Sequence, residues 1–181
     1  MRDYSIKKGK IINDIINDLN ISIFVETGTH AGDMLSIVSE NVSHSYSIEL
    51  SERYYNIAKN RFINKENIFL LHGDSREKIS EVLLRIDNKA LFYLDSHHSG
   101  GDTAGDYLNN ETPLIYELEK IVGSSNCKNF GSVVVIDDIR FLSTRTWPTE
   151  KDIEDVVNAS GISYSKTVID DMMILVLESK K

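Results

Sequence analysis

Apolar positions along the chain alternate between two spacings. Short runs of β-type character recur at Ile23 to Glu26, Ser45 to Glu49, Ile68 to His72, Ala90 to Asp95 and Val133 to Asp137. Between them the spacing is helical. The stretch IKKGKIINDIINDLN places Ile11, Ile12, Ile15, Ile16 and Leu19 on one face. Gly32 to Val42 is a second helical stretch. Ser51 to Phe62 opens on an N-cap serine and keeps Tyr54, Tyr55 and Ala58 on one side. Ser75 to Ile86 repeats the device, with Ile79, Val82, Leu83 and Ile86 inward. Thr112-Pro113 reads as N-cap and first turn before LIYELEKIV, and Glu150 to Ala159 makes the last helix.

Strand–helix alternation of this kind predicts an α/β fold, a parallel sheet with helices on both faces. The end of the chain breaks the rhythm. Tyr164 to Ile169 and Met172 to Leu177 are separated only by Asp170-Asp171. No crossover helix fits there, so these two runs must form an antiparallel hairpin. The expectation is a three-layer sandwich around a mostly parallel, seven-stranded sheet. Residues 1–181 read as one domain, with an N-terminal helix over 1–20 and the core over 21–181.

Composition narrows the function classes. A chain of 181 residues that is 41 % hydrophobic can bury one sizeable core. Lys and Arg number 20 against 28 Asp and Glu, a net charge of −8. That balance argues against a nucleic-acid partner, because phosphate backbones attract basic faces. One cysteine, Cys127, rules out an internal disulfide and is compatible with a reducing compartment. It lies in SSNCKNFG, which reads as a loop with no base beside it. MRDYSIKKGK lacks the apolar core of a signal peptide, and no run of about 18 apolar residues suggests a membrane span. The expectation is a cytoplasmic protein without a membrane partner.

The first strand ends VETGTHAGDML. Gly28 and Gly32 bracket a tight turn into a helix, where close backbone approach and free N–H groups suit a nucleotide-type ligand. Glu49 ends the second strand about 20 residues later, where an acid can accept from both ribose hydroxyls. Gly73-Asp74-Ser75 ends the third strand, where an acid or serine can meet an adenine amino group. Three successive strand ends thus aim polar groups at one crevice. A nicotinamide-dinucleotide site prefers G-x-G-x-x-G, which this loop lacks. Glu26 would also repel a pyrophosphate, whereas it would attract the sulfonium and amino group of S-adenosylmethionine.

With these residues in view, the chain resembles the class I S-adenosylmethionine-dependent methyltransferases, from about Ile21 to Leu177. The resemblance rests on VETGTHAGD, YSIELSERYY, HGDS, FYLDSHH, VVVIDD and the closing hairpin. It implies a Rossmann-like fold. The family usually has a further glycine where His30 stands, a departure shared with the metal-dependent catechol-type O-methyltransferases. The chain also looks like bacterial O-methyltransferases of the macrocin, or sugar-modifying, kind. By carry-over, Glu26, Gly28 and Gly32 hold the methionine part of the donor, Glu49 the ribose, and Asp74 with Ser75 the adenine; Thr27, Asp33, Leu50, Gly73 and Asp95 complete the expected donor-binding set. The resemblance further implies Mg²⁺ between Asp95, Asp137 and Asp138.

The residues make a case of their own. Strands four and five should be neighbours about 4.8 Å apart, so Asp95 and the Asp137-Asp138 pair lie at one edge. Carboxylates that close repel unless protons, a cation or basic side chains intervene, and Mg²⁺ is the simplest remedy. Arg140 could instead neutralise one acid. His97 and His98 follow Asp95 and are suited as general base near neutral pH; the offset favours His98. Residues 100–107 read as a loop over the site, and Arg140, Phe141 and Trp147 as lining for an acceptor or as structure. His30, His44 and His72 read as structural.

The reading is therefore Mg²⁺-assisted methyl transfer to a hydroxyl of a small molecule or carbohydrate. Metal-independent transfer with a histidine base is one alternative, and a non-catalytic S-adenosylmethionine-binding module another. A metal-dependent phosphate hydrolase would leave Glu26 and Glu49 without a role. A homodimer that completes the pocket is compatible with so short a chain.

Overall fold

The computed structural model describes residues 3–96, 112–144 and 146–179. Among these, seven strands form one sheet: β1 (Ile23–Thr27), β2 (His44–Glu49), β3 (Ile68–His72), β4 (Ala90–Leu94), β5 (Ser132–Ile136), β6 (Tyr164–Ile169) and β7 (Met172–Leu177). Their spatial order is β3-β2-β1-β4-β5-β7-β6. The first five strands run parallel, and β7 is antiparallel to both β5 and β6. The β6–β7 turn is Asp170-Asp171, closed by the pair Ile169 and Met172, with Asp170 at φ 53°. This is the hairpin that the missing crossover requires.

The helices are α1 (Asp3–Asp18), α2 (Asp33–Val38), α3 (Glu52–Arg61), α4 (Ser75–Leu83), α5 (Leu114–Gly123), α6 (Ser125–Phe130) and α7 (Glu150–Ala159). Successive strand residues point to opposite faces, so a strand buried on both sides reads as a continuous apolar run. On one face, Phe24, Tyr93, Val133 and Val135 meet Ile12 and Ile16 of α1, Leu35 of α2 and Ala58 of α3. On the other, Val25, Phe92, Val134 and Ile136 meet Ile79 of α4, Leu118 of α5 and Ile153 of α7. Each such aliphatic side chain stabilises the fold by about 1.5–3 kcal/mol when fully buried. The outer strand β6 exposes Val168 and Ile169. Its Lys166 is tied to Glu150 and Glu154 of α7, and a charged lysine on an open edge discourages pairing with another chain.

Two expected elements differ. SSNCKNFG is not a loop: Ser124 caps Cys127 N at 3.2 Å and opens the short helix α6. Cys127 is the buried residue of that helix, and burial pushes its thiol up to about 11. The helix expected over Gly32 to Val42 is α-helical only to Val38 and finishes as a 3-10 turn over Ser39–Asn41. Among the described residues, no helix is long and apolar enough to cross a membrane.

The strand order carries one functional consequence. β1 connects outward to β2 and β3, whereas β4 lies on its other side. The strand order thus reverses at β1, and the carboxyl edge at such a switch point is the usual position of the ligand crevice in an open α/β sheet.

Candidate functional site

The turn after β1 is held tightly against β4. Gly28 has φ 85°, and a Cβ built on it would lie 2.5 Å from the Asp95 carbonyl oxygen. Only glycine lets the β1 turn and the end of β4 approach that closely. Gly28→Ala should therefore destabilise the protein by about 2 kcal/mol through the positive φ and the backbone clash. A urea unfolding midpoint equal to wild type would contradict this. Gly32, at φ 77°, leaves room for the Phe62 ring, which a Cβ would meet at 2.5 Å. His30 is itself left-handed, at φ 49°, and its ring lies 4.0 Å from that of Tyr54. The position where the resembled family places glycine thus keeps the backbone conformation that favours glycine.

Glu26 and Glu49 sit behind this turn. Glu26 is buried, accepting from Ser47 Oγ at 2.5 Å, and Ser47 Oγ lies 2.6 Å from Thr29 Oγ1. Burial, reinforced by Asp95, Glu49 and Asp33 against the Ser47 hydrogen bond, raises the Glu26 carboxyl to about 8. Glu49 accepts from His30 N at 2.7 Å and from Ser51 N at 2.8 Å. Burial raises its carboxyl above the ordinary range despite those bonds. One acid at the end of β2 thus ties the β1 loop to the start of α3.

The other expected donor residues are more committed. Asp74 caps α4 through Arg76 N at 2.9 Å and takes the Arg76 guanidinium at 2.6 Å. Asp33 pairs with Arg61 at 2.9 Å, and Arg61 also donates to the Ala31 carbonyl at 2.6 Å. Leu50 presents its carbonyl 3.2 Å from His72 Nε2. Gly73 closes onto Glu49 O at 2.9 Å. Thr27 and Ser75 are buried and face a residue that the sequence reading passed over. This is Glu117 of α5. It accepts from Ser96 Oγ at 2.6 Å and Thr27 Oγ1 at 3.4 Å, and Ser75 also bonds to it. Burial raises Glu117 to about 7. Its signal was in the helix pattern, since Glu117 lies on the buried stripe of Leu114, Leu118 and Ile121.

At the β4–β5 edge, the expected juxtaposition is present. Leu94 pairs with Ile136, and the ladder continues as Asp95 N to Thr27 O and Asp137 N to Leu94 O, both at 3.1 Å. Strand alternation sets Asp95 and Asp137 on the sheet face of Tyr93 and Val135. Asp137 is nevertheless already satisfied. It takes the Lys8 ammonium on Oδ1 and the Tyr93 hydroxyl on Oδ2. The Asp138 amide also donates to Oδ1, at 2.7 Å. Asp138, at φ 56°, pairs with Arg140 at 2.5 Å. Among the described residues no group of three or more His, Cys, Asp and Glu is placed to hold a metal ion. The Asp137-Asp138 part of the donor set expected for Mg²⁺ does not fit that ion here, because protein cations and a phenol take both Asp137 oxygens and Asp138 Oδ1. Lys8 also went unread in the sequence, although it stands one turn before Ile12 on the buried face of α1.

His97, His98 and the 100–107 loop lie outside the described residues. His44 and His72 stack on Phe69 and Tyr55, at 5.9 and 5.0 Å between ring centroids. Phe141 and Trp147 contact each other at 5.5 Å, with Arg140 over the Phe141 ring at 4.5 Å.

No family model matches the chain, and no curated protein matches it. Solved structures do. An O-methyltransferase from Bacillus cereus in complex with SAH superposes with a TM-score of 0.63 at 14 % identity, over 94 % of this chain and 80 % of that one. A S-adenosylmethionine-dependent methyltransferase from Clostridium acetobutylicum gives 0.62 at 12 % identity, over 96 % and 91 %. An SAH-bound methyltransferase from Podospora anserina gives 0.62 at 11 % identity, over 95 % and 78 %. The chain has the S-adenosylmethionine-dependent methyltransferase fold. In that methyltransferase fold, the β1 turn, Glu49 and the β4–β5 edge described above share the carboxyl side of one sheet.

Proposed function

We propose that this chain is an S-adenosylmethionine-dependent O-methyltransferase acting on a hydroxyl of a small molecule or carbohydrate. The observation that carries the proposal is Glu26. Glu26 is a buried carboxyl at the β1 turn that accepts from Ser47 Oγ, and once it gives up its proton it attracts a cation and repels a phosphate. S-adenosylmethionine carries a sulfonium and an ammonium group. Two of the structural neighbours hold SAH, which supports a ligand of this kind.

In this reading Glu26 and the Gly28 turn receive the methionine end, and Glu49 the ribose. Asp74 and Ser75 stand at the adenine end. The acceptor oxygen attacks the methyl carbon in line with the departing sulfur, which keeps the electron pair of the broken bond. His98, or His97 beside it, takes the hydroxyl proton. Placing the oxygen against the methyl supplies much of the rate. No step requires a metal.

Transfer of a labelled methyl group from S-adenosylmethionine to a panel of catechols, phenols and glycosides tests the proposal. Label appearing on a hydroxyl oxygen of an acceptor is the expected result. Label found only on nitrogen or carbon acceptors would overturn the O-methyl reading.

A further inference from the structure

A buried lysine is costly unless its charge is matched, and Lys8 is 1 % exposed. Its ammonium contacts Asp137 Oδ1, lies 3.7 Å from Asp138 Oδ1, and sits 3.9 Å from the centroid of the Tyr4 ring. The Tyr4 hydroxyl in turn reaches Asp138 Oδ1 at 3.5 Å. The chain links are long: Lys8 and Asp137 are 129 residues apart, so this contact fastens α1 onto the end of β5.

We propose that Lys8 is the built-in cation of the β4–β5 acidic edge. It supplies the positive charge that Asp137 needs, shares Asp138 with Arg140, and positions those acids without a divalent metal. Mg²⁺ demands near-octahedral oxygen ligation with open lone pairs. Asp137 instead directs one oxygen at an ammonium and the other at the Tyr93 hydroxyl, whose proton burial holds firmly in place. Lys8 transfers no proton in this role and is a positioning residue acting through the two aspartates. The consequence for catalysis, turnover indifferent to chelators, rests on the methyltransferase reading. The charge substitution itself does not, and it is tested without donor or acceptor.

The probe is Mn²⁺ alone, followed by the loss of its free-ion electron paramagnetic resonance signal. Wild-type protein should leave the signal unchanged up to about 1 mM Mn²⁺, far above the Kd of a built divalent site. Lys8→Ala should create a one-to-one site that quenches it, and Lys8→Ala with Asp137→Asn should abolish that site. One-to-one binding by wild type, lost in Asp137→Asn, would overturn the proposal. A folded Lys8→Ala protein that still ignores Mn²⁺ would overturn it too. If Lys8→Ala does not fold, reductive methylation of wild type decides. Lys8 should stay unmodified with and without Mn²⁺, whereas methylation of Lys8 that appears only with Mn²⁺ would show the metal displacing it and contradict the proposal.

Discussion

Lys8→Ala should cost the folded protein about 3–5 kcal/mol, the usual loss when one partner of a buried ion pair is removed. The substitution deletes an ammonium from a site that is almost closed to solvent and leaves the Asp137 carboxylate without its counter-charge. The desolvation cost of that carboxylate then goes uncompensated, and the α1 contact to β5 is lost with it. Pairing Lys8→Met with Asp137→Asn should recover most of the loss. Asparagine keeps one carbonyl oxygen to accept from the Asp138 amide and turns an NH2 donor toward the Tyr93 hydroxyl oxygen, while no buried charge is stranded. Urea unfolding of Lys8→Met, Asp137→Asn and the double variant gives the coupling energy directly, with Lys8→Ala measured beside them. A Lys8→Ala loss below about 1 kcal/mol would place the pair in the class of exposed salt bridges and refute this account of α1.

Donor affinity should rise with pH, by up to about tenfold per pH unit from about pH 6 to about pH 8, and then level off. The cause is Glu26. In the free protein its carboxyl is raised from 4.5 to about 8, so it is protonated at neutral pH. A cationic donor favours the ionised form, so binding expels that proton. The expulsion is uphill below the raised value and free above it. Glu26→Gln should weaken binding most at about pH 8 and flatten the profile below it. The same shift acts on folding with the opposite trend. Glu26 contributes stability that is full below about 4.5 and is lost as pH rises to about 8, because the unfolded chain has already released the proton. Glu117 adds the same trend up to about 7. Calorimetric titrations at several pH values, for wild type and Glu26→Gln, measure the binding slope. A wild-type affinity flat across this range would remove Glu26 from the donor site.

The sheet was legible in the sequence because its strands are buried on both faces and therefore read as unbroken apolar runs. The hairpin was legible because Asp170-Asp171 leaves no length for a crossover. Strand neighbours then followed, including the β4–β5 edge where Asp95 and Asp137 meet. Helix α6 was not legible, since six residues with one buried side chain carry no period. Lys8 and Glu117 show a different limit. Each is a charged residue on an apolar helical stripe, a pattern that marks a buried ion but does not name its partner. For Lys8 the partner lies on β5, and for Glu117 the hydroxyls come from β1, the end of β4 and the start of α4. Only the packing of helices on the sheet brings them together. The acidic pair was expected to need positive charge, and in the fold Lys8 supplies it to Asp137 and Arg140 to Asp138.

The central claim is that the crevice between β1 and β4 binds an S-adenosyl ligand. Calorimetric titration of the intact protein with S-adenosylhomocysteine tests it most directly. The account predicts saturable one-site binding, with a Kd in the range of about 1–100 μM, or −8.2 to −5.5 kcal/mol. It also predicts a marked loss of that binding in Glu49→Ala, which removes the ribose acceptor. No binding heat from folded wild-type protein at about 1 mM ligand, under conditions where a competing spectroscopic assay also shows no binding, would contradict it.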